Sequence, residues 1–130
     1  MSAAGAVQAA VIAALEAEEL LEGLSVFGAP PLRAVGPYAV VEDPQLRAFD
    51  AAEVTGRIGT LAVGFSDTGE VPTRLRVLMA IAEEAVGVMP AALADGWRLA
   101  GLELARSRLA RTKDGWLGRA EWAVRVFRVN

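Results

Sequence analysis

The 130-residue chain contains no cysteine and no histidine, and only one lysine and one tyrosine. Without thiols it forms no disulfide bond or thiolate metal site, and it has no cysteine nucleophile. Without imidazole it lacks the side chain best suited to proton transfer near neutral pH, which is also the commonest metal ligand. Serine–histidine and cysteine–histidine catalysis are therefore excluded.

The remaining reactive groups are carboxylates, arginines, Lys113 and Tyr38. No paired acidic motif stands beside a glycine-rich loop, so we expect no enzymatic activity and no cofactor or metal. A carboxylate-based enzyme stays open as an alternative. Its sign would be turnover that is lost when one carboxylate is changed.

The sequence also lacks an evident targeting or membrane-spanning segment. Residues 1–20 contain no lysine or arginine, and their apolar run ends at Glu16, Glu18 and Glu19. A signal peptide begins with positive charge, and a membrane span needs about 20 apolar residues. We therefore expect a cytoplasmic product with no membrane partner.

Apolar residues are abundant, at 54% of the chain, with a mean hydropathy of +0.36. The length suits one domain over residues 1–130. Because a domain of this size cannot hide all of its apolar surface, we expect part of it to face partner subunits.

The first half of the chain predicts one helix and two strands. The helix is expected over residues 3–22, with Ser2 as N-cap and Gly23 as a left-handed C-cap. Two adjacent prolines predict an irregular loop over residues 26–37. YAVVE (38–42) and RIGTLAVGF (57–65) predict strands, and residues 45–55, which show no clear period, predict a loop.

The centre of the chain predicts a turn followed by a second helix. Residues 66–69, SDTG, indicate the turn, and Pro72 suits the first position of a helix that extends to Met89. Its apolar residues form one stripe, which is typical of a core-facing helix. The stripe comprises Leu75, Leu78, Met79, Ala82, Val86 and Met89.

The last third predicts a β-hairpin. Asp114-Gly115 is a strong two-residue turn signal. With that turn, paired positions sum to 229 and Arg108 lies opposite Glu121. One face then holds Ala105, Ser107, Leu109, Ala120, Trp122, Val124 and Val126, and the other holds Arg106, Arg108, Arg119, Glu121 and Arg125. A helix over residues 99–109 is the alternative, because Leu102, Ala105 and Leu109 also fit a helical period.

These segments predict an α+β fold in the order α-β-β-α-β-β. We expect a four-stranded, mainly antiparallel sheet with both helices packed on one face.

Charge is distributed unevenly along the chain. Residues 95–130 contain eight basic and four acidic residues, a net charge of +4, whereas the rest contains five and twelve, a net of −7; the sum is the overall −3. A basic sheet face on one copy can meet acidic segments of the next, as in head-to-tail rings. The acidic candidates are Glu42-Asp43, Asp50 to Glu53, and Glu83-Glu84.

The predicted interface is the charged face of the hairpin with its tip. It comprises Arg106, Arg108, Lys113, Trp116, Arg119, Glu121 and Arg125. A solvated arginine face without a partner is the simpler interpretation for any single arginine. A small nucleic-acid-binding module that uses the basic C-terminal hairpin is the other alternative. It is disfavoured because the chain is acidic overall and Trp122 lies on the opposite face from the arginines.

Four segments, in order, span nearly the whole chain: MSAAGAVQAAVIAAL; VFGAPP leading into PYAVVE; SDTGE before VPTRLRVLMAIAEEAV; and SRLARTKDGWLGRAEWAVRVFRV. In order, spacing and length they resemble the tail-completion, or tail-terminator, family of long-tailed bacteriophages and related gene transfer agents. Residues 45–55 match nothing in that pattern.

The resemblance implies a structural virion protein that forms a hexameric ring at the head-proximal end of the tail. Such a ring caps the tail tube, stops its growth and meets the head-side connector, or stopper, protein. DNA passes through its lumen without sequence-specific binding, and no catalytic residue carries over. We expect residues 27–37, 43–56 and the hairpin tip to make the contacts, and replacing Trp116 with alanine to weaken assembly without unfolding the monomer.

Overall fold

The computed structural model describes all 130 residues. The chain contains two α-helices and six β-strands, in the order α-β-β-β-β-α-β-β. They are α1 (Ala3–Ala17), β1 (Ser25–Phe27), β2 (Tyr38–Val41), β3 (Gln45–Ala48), β4 (Val54–Thr68), α2 (Thr73–Gly87), β5 (Arg98–Arg111) and β6 (Gly115–Val129), with short 3₁₀ turns at Glu19–Leu21 and Ala94–Gly96.

All six strands form one sheet in the order β1-β2-β4-β6-β5, with β3 also paired to β4. All pairings are antiparallel except that of β1 with β2. The α+β class and the mainly antiparallel sheet are thus confirmed, but the predicted four strands are wrong. The two further strands, β1 and β3, have only three and four residues, and β3 is largely exposed, so their sequences carry little of the alternation that marks a half-buried strand.

Strands β2 and β3 lie end to end along the same edge of β4. Val41 pairs with Val63 and Gln45 with Thr60, so four steps along one strand match three along the other. This extra residue is a β-bulge at the Asp43-Pro44 segment. Strand β3, the turn over residues 49–53 and the first part of β4 therefore form a β-hairpin. The predicted loop over residues 45–55 is wrong.

Helix α1 begins as predicted, because the Ser2 side chain accepts a hydrogen bond from the Gly5 N–H. It ends at Ala17 rather than at residue 22. The Glu18 carboxylate instead accepts the Leu20 N–H and starts the 3₁₀ turn, and acidic side chains at a helix C-terminus oppose the helix dipole. Gly23 does not adopt a left-handed conformation, so the predicted cap is wrong.

Helix α2 lies within the predicted bounds but ends at Gly87, and Pro72 precedes its first residue as N-cap. Asp67 anchors its first turn: its two carboxylate oxygens accept hydrogen bonds from Arg74 Nη2 at 2.6 Å and Nε at 2.9 Å. Strand β4 continues through Thr68, so the predicted turn at 66–69 is reduced to a bend at Gly69, where φ is +108°.

The β5–β6 hairpin confirms the strand interpretation of residues 99–109, but its predicted register is wrong by two residues. Arg111 pairs with Trp116 and Arg106 with Glu121, so paired numbers sum to 227 near the turn. The turn is Lys113-Asp114, and Thr112 N–H donates to the Gly115 carbonyl. Arg108 consequently faces Arg119, not Glu121.

One core joins both helices to one face of the sheet. Trp122 and its even-numbered neighbours on β6 are buried as predicted. They pack with the α1 residues Val7, Val11 and Leu15 and with the predicted stripe of α2. Leu78, the most exposed member of that stripe, is half-buried at the edge of the core. Both helices therefore cover the same face of the sheet, and the other face is left open.

Candidate assembly surface

The open face is the side of the sheet that neither helix covers. On β6 it carries the odd-numbered residues, which alternate with the buried Ala120, Trp122, Val124 and Val126. It brings together five of the seven predicted interface residues: Arg106, Arg108, Arg119, Glu121 and Arg125. Their common placement follows from the two-residue period of a strand, and it survives the register error because a shift of two residues preserves the face.

Charged side chains form a row across the open face, perpendicular to the strands. Arg119 on β6 reaches across β4 and donates from Nε and Nη2 to the two oxygens of Glu42, at 3.1 and 3.0 Å. Arg119 also pairs with Glu121, and Glu121 lies 4.0 Å from Arg106. The hydrogen bonds to Glu42 raise the pKa of Arg119 above its usual value against the opposing effect of desolvation.

A shallow trough runs along β4 beneath this row. Between residues 60 and 66, the β4 residues on the open face all have small side chains, so larger residues on β2 and β6 stand above them on both sides. Tyr38 and Val40 form one wall, and Leu117 with Arg119 forms the other. Gly64 and Ser66 of β4 form part of its floor.

An aromatic patch lies further along the same face. Phe49 follows β3 and is 53% exposed. The guanidinium groups of Arg47 and Arg125 lie 6.0 and 5.8 Å from its ring centroid, within cation–π distance. The sequence prediction did not place Glu42, Arg47 and Phe49 on this face. It assigned Glu42 to the acidic surface that meets a neighbouring copy, and it placed Arg47 and Phe49 in a contact loop over residues 43–56, because β3 carries no strand pattern. The alternation of Tyr38, Val40 and Glu42, from β2 into the residue that follows it, was the available sequence signal.

The remaining two predicted residues lie elsewhere. Lys113 is exposed in the hairpin turn. Trp116 is half-buried on the helix-covered face, packs against the core, and has the Arg111 guanidinium 5.1 Å from its ring centroid. The predicted placement of Trp116 at the tip of the hairpin, as part of the interface, is therefore wrong. Its indole Nε1 is buried without a hydrogen-bond partner.

No group of three or more acidic side chains is arranged to hold a metal ion, and neither helix is long and apolar enough to cross a membrane. The open face itself offers ionic, aromatic and apolar contacts.

Comparisons with known proteins identify a shared fold. The sequence matches no protein-family model, and no curated protein matches it. Among solved structures, a chain of the "virion of native gene transfer agent (GTA) particle" is similar over 100% of both chains. The TM-score is 0.66 and 19% of residues are identical, so the likeness establishes the fold. Function has to be argued from surfaces, because one fold serves many roles.

Proposed function

We propose that this chain is a structural subunit of a tailed phage or gene transfer agent particle. In this role it acts as a tail terminator: a hexameric ring that caps the tail tube and joins it to the head-side connector. The observation that carries the proposal is the likeness of fold, over the full length of both chains, to a component of a gene transfer agent virion. The four sequence segments that resemble tail-terminator proteins independently point to the same kind of particle.

The open face supports a role in protein assembly. It combines a charged row, a trough lined by small residues and an exposed aromatic patch on a rigid sheet. Arginine and aromatic residues are enriched at protein interfaces. A ring on a six-fold tube repeats each contact six times, so weak single contacts suffice. The role requires no catalytic residue, cofactor or metal.

The charge pattern on the open face also bears on the alternative of a nucleic-acid-binding module. Arg119 and Arg106 are paired with carboxylates of Glu42 and Glu121, which place negative charge in the middle of the basic surface. Phosphate binding would have to displace these partners. The pattern is therefore consistent with DNA passing nearby without being bound tightly. Binding to duplex DNA that weakens steeply with salt would support the alternative.

The experiment that tests the role is deletion of the gene in the cell that produces the particle. We expect heads and tails that fail to join, with tubes of uncontrolled length, and rescue by the wild-type gene. Electron microscopy of purified particles should then locate six copies between the tube and the head connector. Normal particles from the deletion strain, or particles that lack the subunit, would refute the proposal.

A further inference from the structure

The loop of residues 28–37, between β1 and β2, presents an apolar tip to solvent. Leu32 and Val35 are fully exposed, at 103% and 96%. The base of the loop is fixed, since the Gln8 side-chain amide donates to the carbonyls of Gly28 and Val41 at 3.0 and 2.9 Å. Two adjacent prolines, residues 30 and 31, restrict the backbone conformation of the segment that leads from β1 to the tip. A preorganised loop with bare apolar side chains is suited to docking, because little conformational entropy is lost on binding.

A groove that can receive such a tip lies between α2 and β5. Ala80 and Ile81 on the helix and Leu104 on the strand form its apolar surface, and Leu104 is 48% exposed. Glu83 and Glu84 supply its charge. The Glu83 carboxylate accepts a hydrogen bond from Ser107 at 2.7 Å, whereas Glu84 is exposed and forms no ion pair.

The loop and the groove are complementary in charge. Arg33 lies between the two exposed apolar residues and is the only basic residue before Arg47. It forms no ion pair within its own chain. An arginine fork meets a carboxylate with good geometry, and its neighbours would cover the apolar groove.

The topology places the two surfaces on opposite sides of the subunit. The loop follows β1, which is one edge strand of the sheet, and the groove borders β5, which is the other. A contact between them is heterologous, since each copy offers its loop to one neighbour and its groove to the next. Contacts of this kind close into rings when the rotation permits.

We propose that the 28–37 loop of one copy docks in the α2–β5 groove of the next, with Arg33 against Glu84 and with Leu32 and Val35 on Ala80, Ile81 and Leu104. The proposal rests on the proposed ring and names the surfaces that form it.

The absence of native cysteine allows a direct test on the full-length protein. Single-cysteine proteins carrying A34C or A80C are mixed at high concentration and oxidised. Because a disulfide requires Cβ atoms about 4 Å apart, we expect a covalent dimer with one copy of each protein. The matched control mixes A34C with A13C, which places the second cysteine at an exposed position on α1, outside both the groove and the open face. No A34C–A80C dimer, or an equal yield from the control pair, overturns the proposal.

Charge reversal supplies a second readout. R33E or E84R alone should abolish the A34C–A80C dimer, and combining R33E on the loop partner with E84R on the groove partner should restore it. Failure of the combination to restore the dimer contradicts the Arg33–Glu84 contact. Far-ultraviolet circular dichroism confirms that each variant remains folded.

The crosslinking result can be distinguished from the result of the gene deletion. A 34–80 crosslink in solution together with normal particles from the deletion strain would leave the self-association intact and refute the tail role. Particles that need the subunit, but show no 34–80 crosslink within them, would support the tail role and refute the docking of the loop in the groove.

Discussion

The two faces of the sheet differ in what holds their side chains in place. On the helix-covered face, β6 contributes residues exposed by 2% or less, packed against both helices. On the open face, Arg119 of the same strand forms ion pairs with Glu121 and with Glu42, which follows β2, and these pairs are in contact with solvent. Apolar burial stabilises a fold by amounts that exposed ion pairs rarely reach. Stability should therefore depend on one face, which leaves the other free to serve assembly.

The largest effect is expected from Trp122→Ala, compared with Glu121→Ala one residue away on the open face. Truncating a buried aromatic residue costs about 3–5 kcal/mol, a large part of the roughly 5–15 kcal/mol available to a domain. Loss of the Glu121 pairs should cost no more than about 1 kcal/mol. Urea unfolding of both variants measures the difference. Equal losses would mean that the two faces contribute alike.

The next effect concerns Asp67, the buried carboxylate that ties β4 to the start of α2. Asp67→Asn should lower the free energy of unfolding at pH 7 by about 1.5–3 kcal/mol, which is typical of hydrogen bonds to a charged group. Thr73→Ala, at an exposed position on the same turn, is the control. An unchanged urea midpoint for Asp67→Asn would contradict the anchoring role.

Lowering the pH should reduce the difference in unfolding free energy between wild type and Asp67→Asn. The hydrogen bonds from Arg74, more than those from Thr68, hold the pKa of Asp67 below its usual value. A carboxyl group with a lowered folded-state pKa contributes stability above its unfolded pKa of about 3.9, and loses it as pH falls through the folded value. The stability gap between wild type and Asp67→Asn should therefore narrow below about pH 4. A gap that stays constant down to pH 2 would exclude this linkage.

Strand β6 was predictable in detail because its buried and charged residues alternate with a period of two, and tertiary contact only reinforces that pattern. The position of the hairpin turn was not predictable, because Gly115, which was expected to form the turn, is instead required for close packing between strands. A Cβ at Gly115 would lie 2.8 Å from the Cα of Thr68, so this glycine allows the end of β4 to approach β6 closely. The turn therefore forms one residue earlier, at Lys113-Asp114, and the sum of paired residue numbers falls by two from the turn to the Arg106–Glu121 pair.

The missed parts of the surface share a different cause. Strand β3 has a mostly exposed pattern and follows a bulge at Asp43-Pro44, so nothing local distinguishes it from a loop. Its pairing with β4 depends on a partner strand that begins six residues later. Phe49 and Arg47 reach the open face only through that pairing. A second irregularity affects β5, where a bulge at Ala105 places Leu104 on the helix-covered face, opposite Trp122.

Two glycines sharpen the contrast between the faces. A Cβ at Gly118, on the helix-covered face, would overlap the Met79 side chain of α2, with Cε 2.8 Å away; at Gly64, on the open face, the nearest atom is Glu42 Oε2 at 3.8 Å. Gly118→Ala should cost about 1–3 kcal/mol by overpacking. Gly64→Ala should be neutral or stabilise by up to about 1 kcal/mol, since alanine suits a strand better than glycine. Thermal unfolding of both variants compares them, and a destabilised Gly64→Ala would show that the open face is also tightly packed.

The smallest effect is expected from Arg119→Gln, which removes the forked contact with Glu42 and the pair with Glu121. The loss in unfolding free energy should be below about 1 kcal/mol and should shrink in 1 M salt, where exposed charges are screened within about 3 Å. Arg108→Gln is the control, because Arg108 forms no ion pair in the monomer and faces Arg119. A loss that exceeds the Asp67→Asn effect and persists in salt would mean that the charged row maintains the fold. A small, salt-sensitive loss would leave the row free to exchange partners, since a neighbouring subunit's carboxylate can replace Glu42 at little cost to the monomer.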